Sequence, residues 1–417
     1  MDYRVFSTCA DRFMRYVKID TQADPYSSSS PSTEKQLDLS RLLLNELLEA
    51  GIEAEITAQG YVYAHLKATV ENPGPGIFFC AHVDTAPDCS GTNVKPILHT
   101  NYTGTEFILP DDKSIIIGPI EFPELEGKLG EDIITASGLT LLGADDKAGV
   151  TAIMEAALFM NSHPEIGRPA VDILFTTDEE IGRGVNHFNP NLMKSKYGYT
   201  LDGGELGSIE DETFSADGYS IRITGVATHP GYAKSKMQNA IKIVSHIISS
   251  LPSTKDSPES TEGRSGFIHP TKIESGLETG TIDLIIRDFN TQNLKYYHEL
   301  LQGICESSVK AFPGSSFEIE FKEQYRNMNE ILQNHPYVCS YAIEAMQSLG
   351  IEAKKSLIRG GTDGSRLSFM GFPCPNLFAG EHGIHSKKEW VSVQDMQKAA
   401  AVIVKTSEIW SKHRSQV

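Results

Sequence analysis

Five short segments of this 417-residue chain hold acidic and imidazole side chains at spacings suited to binding divalent cations. They are CAHVDTAPD with His82 and Asp84, LLGADDKAG with Asp145 and Asp146, and LFTTDEEIGRG with Asp178, Glu179 and Glu180. YTLDGGE adds Asp202, and GEHGIHSKKEW adds His382 and His385. Each alone has a plain explanation: a solvated turn, or, for Asp145 and Asp146, a cap on the helix that follows. That explanation is poor for all five together. Imidazole nitrogen with carboxylate oxygen, and no thiolate, is the donor set of catalytic rather than structural zinc. Two ions about 3.5–4 Å apart, sharing a carboxylate, are a standard hydrolytic arrangement. On this reading His82 and Asp202 hold one ion, Glu180 and His385 the other, and Asp145 bridges them. Asp84, two residues past His82, is suited to hold that imidazole by its second nitrogen. Glu179 adjoins a ligand without having to be one, and a free carboxylate beside an activated water is what a general base requires.

The elements that must position these residues are legible around them. His82 follows the strand-like GIFFCA, Glu179 follows VDILF, and Asp202 follows YGYTL. Ligands of an open α/β sheet bind at the C-terminal edge of its strands, so residues scattered over three hundred positions can meet in one crevice. The first half alternates helix and strand: a helix over 34–50 ending at Gly51, strands at 61–66 and 76–81, and a long irregular stretch. Then come a strand at 140–143, a helix over 147–160, and strands at 170–176 and 197–201. This order predicts a mostly parallel sheet covered by helices.

Near Thr213 the texture changes. Strands at 216–225, 266–274, 280–289 and 316–321 and helices over 238–251 and 296–312 make a small α+β unit. The polar stretch Ser253–Ser265 is expected to be a mobile loop. A helix over 336–349, strands at 355–358 and 375–379 and a last helix over 393–412 then resume the α/β pattern. The predicted organisation is therefore a catalytic domain over 1–212 and 326–417, interrupted by a lid over 213–325.

Bulk properties exclude several classes. Hydrophobic residues at 40% and charged residues at 22% suit a globular protein with a substantial core. A net charge of −18 argues against nucleic acid or anionic lipid as partner. No apolar run approaches the roughly 20 residues of a membrane span. The opening residues lack a secretory pattern, and six scattered cysteines without a CxxC pair suggest reduced thiols, so a cytoplasmic location is expected. A glycine-rich phosphate loop after the first strand is absent, which disfavours a nucleotide-binding protein.

The motifs HVDTAPD, GADDKAG, TTDEEIGRG, LDGG, ATHPGYAKSKMQNA, IRGGTDGS and HSKKEW, in this order, resemble the peptidase T branch of the M20 metallopeptidases. GADDKAG alone occurs across M20. The long insert before LLGADDKAG and the HPGYAKSKMQNA segment are what point to the tripeptide aminopeptidase branch. The resemblance implies a zinc-peptidase-like catalytic domain with an inserted ferredoxin-like lid, two zinc ions, and release of the N-terminal residue from tripeptides. It implies the same ligands, His82, Asp145, Glu180, Asp202 and His385, with Glu179 as base and Asp84 in support. Spacing alone does not fix how the ligands divide between the ions.

His229, in ATHPG, reads from the residues alone as a surface histidine; the resemblance implies that it stabilises the developing oxyanion, a contribution of about 2.7–4 kcal/mol. Arg287, in LIIRDF, and Arg359, in IRGGTDG, are both candidates to grip the substrate carboxylate through a two-pronged contact. Pairing of lids into a homodimer is a further implication. The nearest competing function is another M20 hydrolase, a dipeptidase or an N-acyl amino acid deacylase. A non-catalytic metal-stabilised binding protein is disfavoured because every ligand position and the base are filled.

Overall fold

The computed structural model describes residues 2–413. Its contacts divide the chain into two compact units. One comprises the chain up to Asp211, Ile331–Ser356 and the chain from Thr362 onward; the other comprises Glu212–Glu330 and Leu357–Gly361. The second unit thus runs five residues past the expected boundary at 325, to Glu330, and also takes back Leu357–Gly361. The reason is local: Phe214 N–H donates to the Ile358 carbonyl at 3.2 Å, and the Arg359 guanidinium lies over the rings of Phe214 and Phe267.

An eight-stranded mixed sheet runs in the order Glu53–Ile56, Val62–Leu66, Val171–Thr176, Gly76–His82, Ser195–Gly203, Asn376–Phe378, Ser208–Thr213, Lys354–Ile358. The four strands from Val171–Thr176 to Asn376–Phe378 are mutually parallel. Outside them Glu53–Ile56, Val62–Leu66 and Ser208–Thr213 pair antiparallel. The parallel strands are continuous apolar runs, buried along nearly their whole length, as strands covered on both faces must be. Two expected features change. The strand Glu53–Ile56 (EAEI) was hidden by its half-exposed edge position. Thr140–Gly143 is not a strand: it is a loop whose Leu142 and Gly143 N–H groups donate to a side chain, Glu389.

Helix Ala144–Ser162 packs across this sheet and against the final helix Val393–Lys412. A Cβ on Gly149 would fall 1.9 Å from the Leu201 carbonyl oxygen, so only glycine lets the helix lie this close to the strand that carries Asp202. The stretch expected to be irregular between His82 and Thr140 contains strands too short to leave a periodic signal. Ile97–His99 and Ile133–Thr135 join Trp390–Ser392 and Glu381–His382 in a separate four-stranded antiparallel sheet.

The second unit has a four-stranded antiparallel sheet, in the order Phe267–Ser275, Thr279–Asp288, Ser215–Thr224, Ser316–Tyr325. With helices Ala240–Ser250 and Asn293–Ala311 the chain order is βαββαβ, the ferredoxin-like arrangement. Alternation of TIDLIIRD turns Ile282, Leu284 and Ile286 inward, onto Ile243 and Ile247 of one helix and Leu301 of the other. Within the polar stretch Ser253–Ser265, expected to be a mobile loop, Pro258–Ser260 forms a short helical turn. Arg359 donates to the carbonyls of Thr261, Gly263 and Ser265 and so fastens its end.

Candidate metal centre

Parallel strands that start level also finish level. His82 is the last residue of its strand and stands in register with Thr176 of the next. Past Thr176 the chain reverses at Asp178, whose φ of +65° is left-handed, and enters a single turn, Glu179–Ile181. Asp202 lies near the end of Ser195–Gly203. Asp145 comes from the start of helix Ala144–Ser162, where its backbone angles are not helical. His385 sits in the loop between the strands Glu381–His382 and Trp390–Ser392, again at positive φ, +58°. Non-glycine residues in the left-handed region are uncommon and concentrate at functional sites.

These residues converge within the first unit. His82 Nε2 lies 3.0 Å from Asp145 Oδ1 and 3.7 Å from Asp202 Oδ1. The other Asp145 oxygen, Oδ2, lies 3.1 Å from His385 Nε2, which is also 3.0 Å from Glu180 Oε2. Asp145 therefore offers one oxygen to each half of the cluster. His82 Nδ1 is 3.1 Å from the Asp84 carbonyl oxygen. A carbonyl only accepts, so Nδ1 carries a hydrogen and Nε2 is the nitrogen turned to Asp145 and Asp202.

The carboxylate of Asp84 faces the same nitrogen and has a second duty besides. It stands 3.5 Å from His82 Nδ1, and its oxygens accept the backbone N–H groups of Glu179 and Glu180 at 3.0 and 3.1 Å. It thus ties the His82 strand end to the turn bearing both glutamates. Asp178 stays outside the cluster, accepting from Ser32 and Gln36. Asp146 accepts from the N–H groups of His82 and Gly149. His382 stacks on Trp390 with ring centroids 4.1 Å apart.

Sequence reasoning missed Glu389. It is 1% exposed and accepts three backbone N–H groups, from Leu142, Gly143 and Asp145, at 2.6–2.9 Å. Three donors on one buried carboxylate fix the loop that aims Asp145, across 244 residues of sequence. Glutamine at 389 would set an amide N–H against a backbone N–H, so Glu389→Gln is expected to cost about 1–3 kcal/mol of stability. A lower Tm with about 10- to 100-fold weaker metal binding is the expected result; wild-type values of both would refute this role.

Charge in the cluster is arranged for cations. Burial disfavours protonated His82, yet Asp145, Asp202 and Asp84 hold its pKa well above the ordinary histidine value. Hydrogen bonds to Asp145 and Glu180 raise His385 to about 11. Burial pushes Glu179 well above the usual carboxyl range. Among the described residues, Glu180 Oε1 and Glu381 Oε2 are buried without a hydrogen-bond partner, a costly state for a carboxylate unless a cation completes it. Ligand atoms lie within 4.8 Å of one another in three groups: His82, Asp145 and Glu180; His82, Asp146 and Asp202; Asp145, Asp202 and Glu381. Nitrogen and oxygen donors without sulfur, partly orphaned and mutually close, fit divalent metal ions.

In the second unit His229 is exposed, and its Nδ1 accepts the Gly231 N–H at 3.1 Å. Arg359 spends its guanidinium on Thr261, Gly263 and Ser265. Arg287 makes one long bond, from Nη1 to the Arg359 carbonyl at 3.3 Å, while its Nε is buried without a partner.

Comparison with known proteins shows the family and the fold. Residues 142–408 match the family described as Peptidase family M20/M25/M40. A peptidase T from Caldanaerobacter subterraneus subsp. tengcongensis is 46% identical over 407 residues, covering 97% of this chain and 99% of that one. Among solved structures, a tripeptidase from Staphylococcus aureus shares the fold with a TM-score of 0.77 at 20% identity, over 98% of this chain and 99% of that one. An aminopeptidase from Bacillus cereus does so with a TM-score of 0.74 at 21% identity, over 97% and 98%. No described helix is long and apolar enough to cross a membrane. By sequence over nearly its whole length and by fold, the chain belongs to the peptidase family M20/M25/M40, in its peptidase T branch.

Proposed function

We propose that this chain is an aminopeptidase with two zinc ions that releases the N-terminal residue of tripeptides. The observation that carries the reading is Asp145, with one oxygen toward His82 and the other toward His385 and Glu180. In this assignment His82 and Asp202 hold one ion, Glu180 and His385 the other, and Asp145 both. When bound, the ions supply Lewis acidity that makes water nucleophilic near neutral pH.

The chain's own groups do the rest. Glu179, adjoining the ligand Glu180, takes a proton from the attacking water and returns it to the leaving amine. His229 stabilises the oxyanion. Because its Nδ1 accepts from Gly231, a neutral ring carries its hydrogen on Nε2, ready to donate. Arg287 rather than Arg359 takes the substrate carboxylate, since Arg359 is already committed to the 261–265 loop. Arg287→Ala is then expected to raise KM for a free tripeptide about 10- to 100-fold with Tm unchanged. Arg359→Ala is expected to lower Tm; the reverse pattern in the two variants would exchange their roles. Six unpaired cysteines support a reducing, cytoplasmic setting.

A panel of a free tripeptide, its N-acetyl form and the corresponding dipeptide tests the activity. Only the free tripeptide should turn over rapidly. Preference for the acetylated form would instead make the protein a deacylase, and preference for the dipeptide a dipeptidase.

A further inference from the structure

The small antiparallel sheet carries a carboxylate that no role above uses. Glu381 lies in the two-residue strand Glu381–His382, opposite Val391. It is 4% exposed, and its Oε2 is buried without a hydrogen-bond partner among the described residues. One of its carboxylate oxygens lies within 4.8 Å of oxygens of both Asp145 and Asp202. The backbone is pressed close as well: a Cβ on Gly204 would fall 2.7 Å from the Glu381 carbonyl oxygen. Two glycine neighbours at positive φ, Gly380 at +92° and Gly383 at +63°, shape the segment that brings both Glu381 and His385 to the cluster.

Three carboxylates buried at this separation repel one another unless positive charge lies between them. His82, Asp145 and Asp202 already give one ion three protein donors, enough for a tetrahedral zinc with an open position. A fourth protein donor, the third carboxylate oxygen of the set, is surplus to that open zinc site, but it suits harder cations that favour six oxygen-rich contacts.

Building on the two-cation reading of the cluster, we propose that Glu381 is a further ligand on the Asp202 side and shifts that position toward a hard, six-coordinate cation such as Mn2+ relative to Zn2+. Glutamine keeps the size of Glu381 and removes its charge. Mn2+ or Zn2+ titrated calorimetrically into the metal-free full-length protein reads the effect without reference to activity. In E381Q the Kd for Mn2+ at one of two sites should rise about 10- to 100-fold, with Zn2+ affinity changed less than about threefold. The metal-free Tm should hold, because glutamine keeps the volume of the side chain. Unchanged Mn2+ binding, an equal loss for both metals, or a lower metal-free Tm would each overturn the proposal. Wild-type protein that takes up only one ion of either metal would overturn the two-cation reading beneath it.

Discussion

Replacing Glu179 with alanine is expected to lower kcat for a free tripeptide by about 10²- to 10⁴-fold while two metal ions per chain remain bound. The geometry separates the two effects. The Glu179 backbone N–H is held by Asp84, so the turn survives loss of the side chain. In the proposed assignment the cations would be held by His82, Asp145, Glu180, Asp202 and His385, whose side chains lie together. On the proposed mechanism, alanine removes the group that accepts and returns a proton. Parallel assays of turnover and metal content check this. Near-normal turnover would remove Glu179 from the mechanism, and loss of an ion would make it a ligand instead.

A second large effect is expected at Asp145. Because its two oxygens serve both halves of the cluster, Asp145→Ala should weaken both cations together, leaving fewer than one ion per chain after dialysis and hydrolysis at background. Its neighbour offers a sharp contrast. Asp146 spends its oxygens on the N–H groups of His82 and Gly149, so Asp146→Asn should lower Tm by more than it lowers metal content. Metal analysis and thermal melts of the pair decide between them: an Asp145 variant that keeps one ion at full affinity would show that the residue does not bridge.

Much of this could be read from the residues. GIFFCA and VDILF announce buried parallel strands because both faces are apolar, and strand ends then predict where His82, the 178–180 turn and Asp202 lie. TIDLIIRD announces the half-buried strand of the second unit by its alternation. What stayed hidden depends on partners far away in the chain. Glu389 looks like any acidic residue before Trp390 until the Leu142–Asp145 loop is folded against it, and Glu381 until Asp145 and Asp202 arrive beside it. LLG at 141–143 has a strand's composition, but its N–H groups are taken by a carboxylate rather than by a neighbouring strand. The two- and three-residue strands between His82 and Thr140 are too brief to show a period of two. The duties of Asp84 divide between its carbonyl and its carboxylate, a distinction that residue type alone does not carry.

Side chains from five distant segments are proposed to enclose a pair of cations around one shared aspartate. Anomalous diffraction from crystals of the metal-loaded protein tests it most directly. Two peaks about 3.5–4 Å apart, one beside each oxygen of Asp145, are the predicted result. A single peak, or a pair lying away from Asp145, would contradict it.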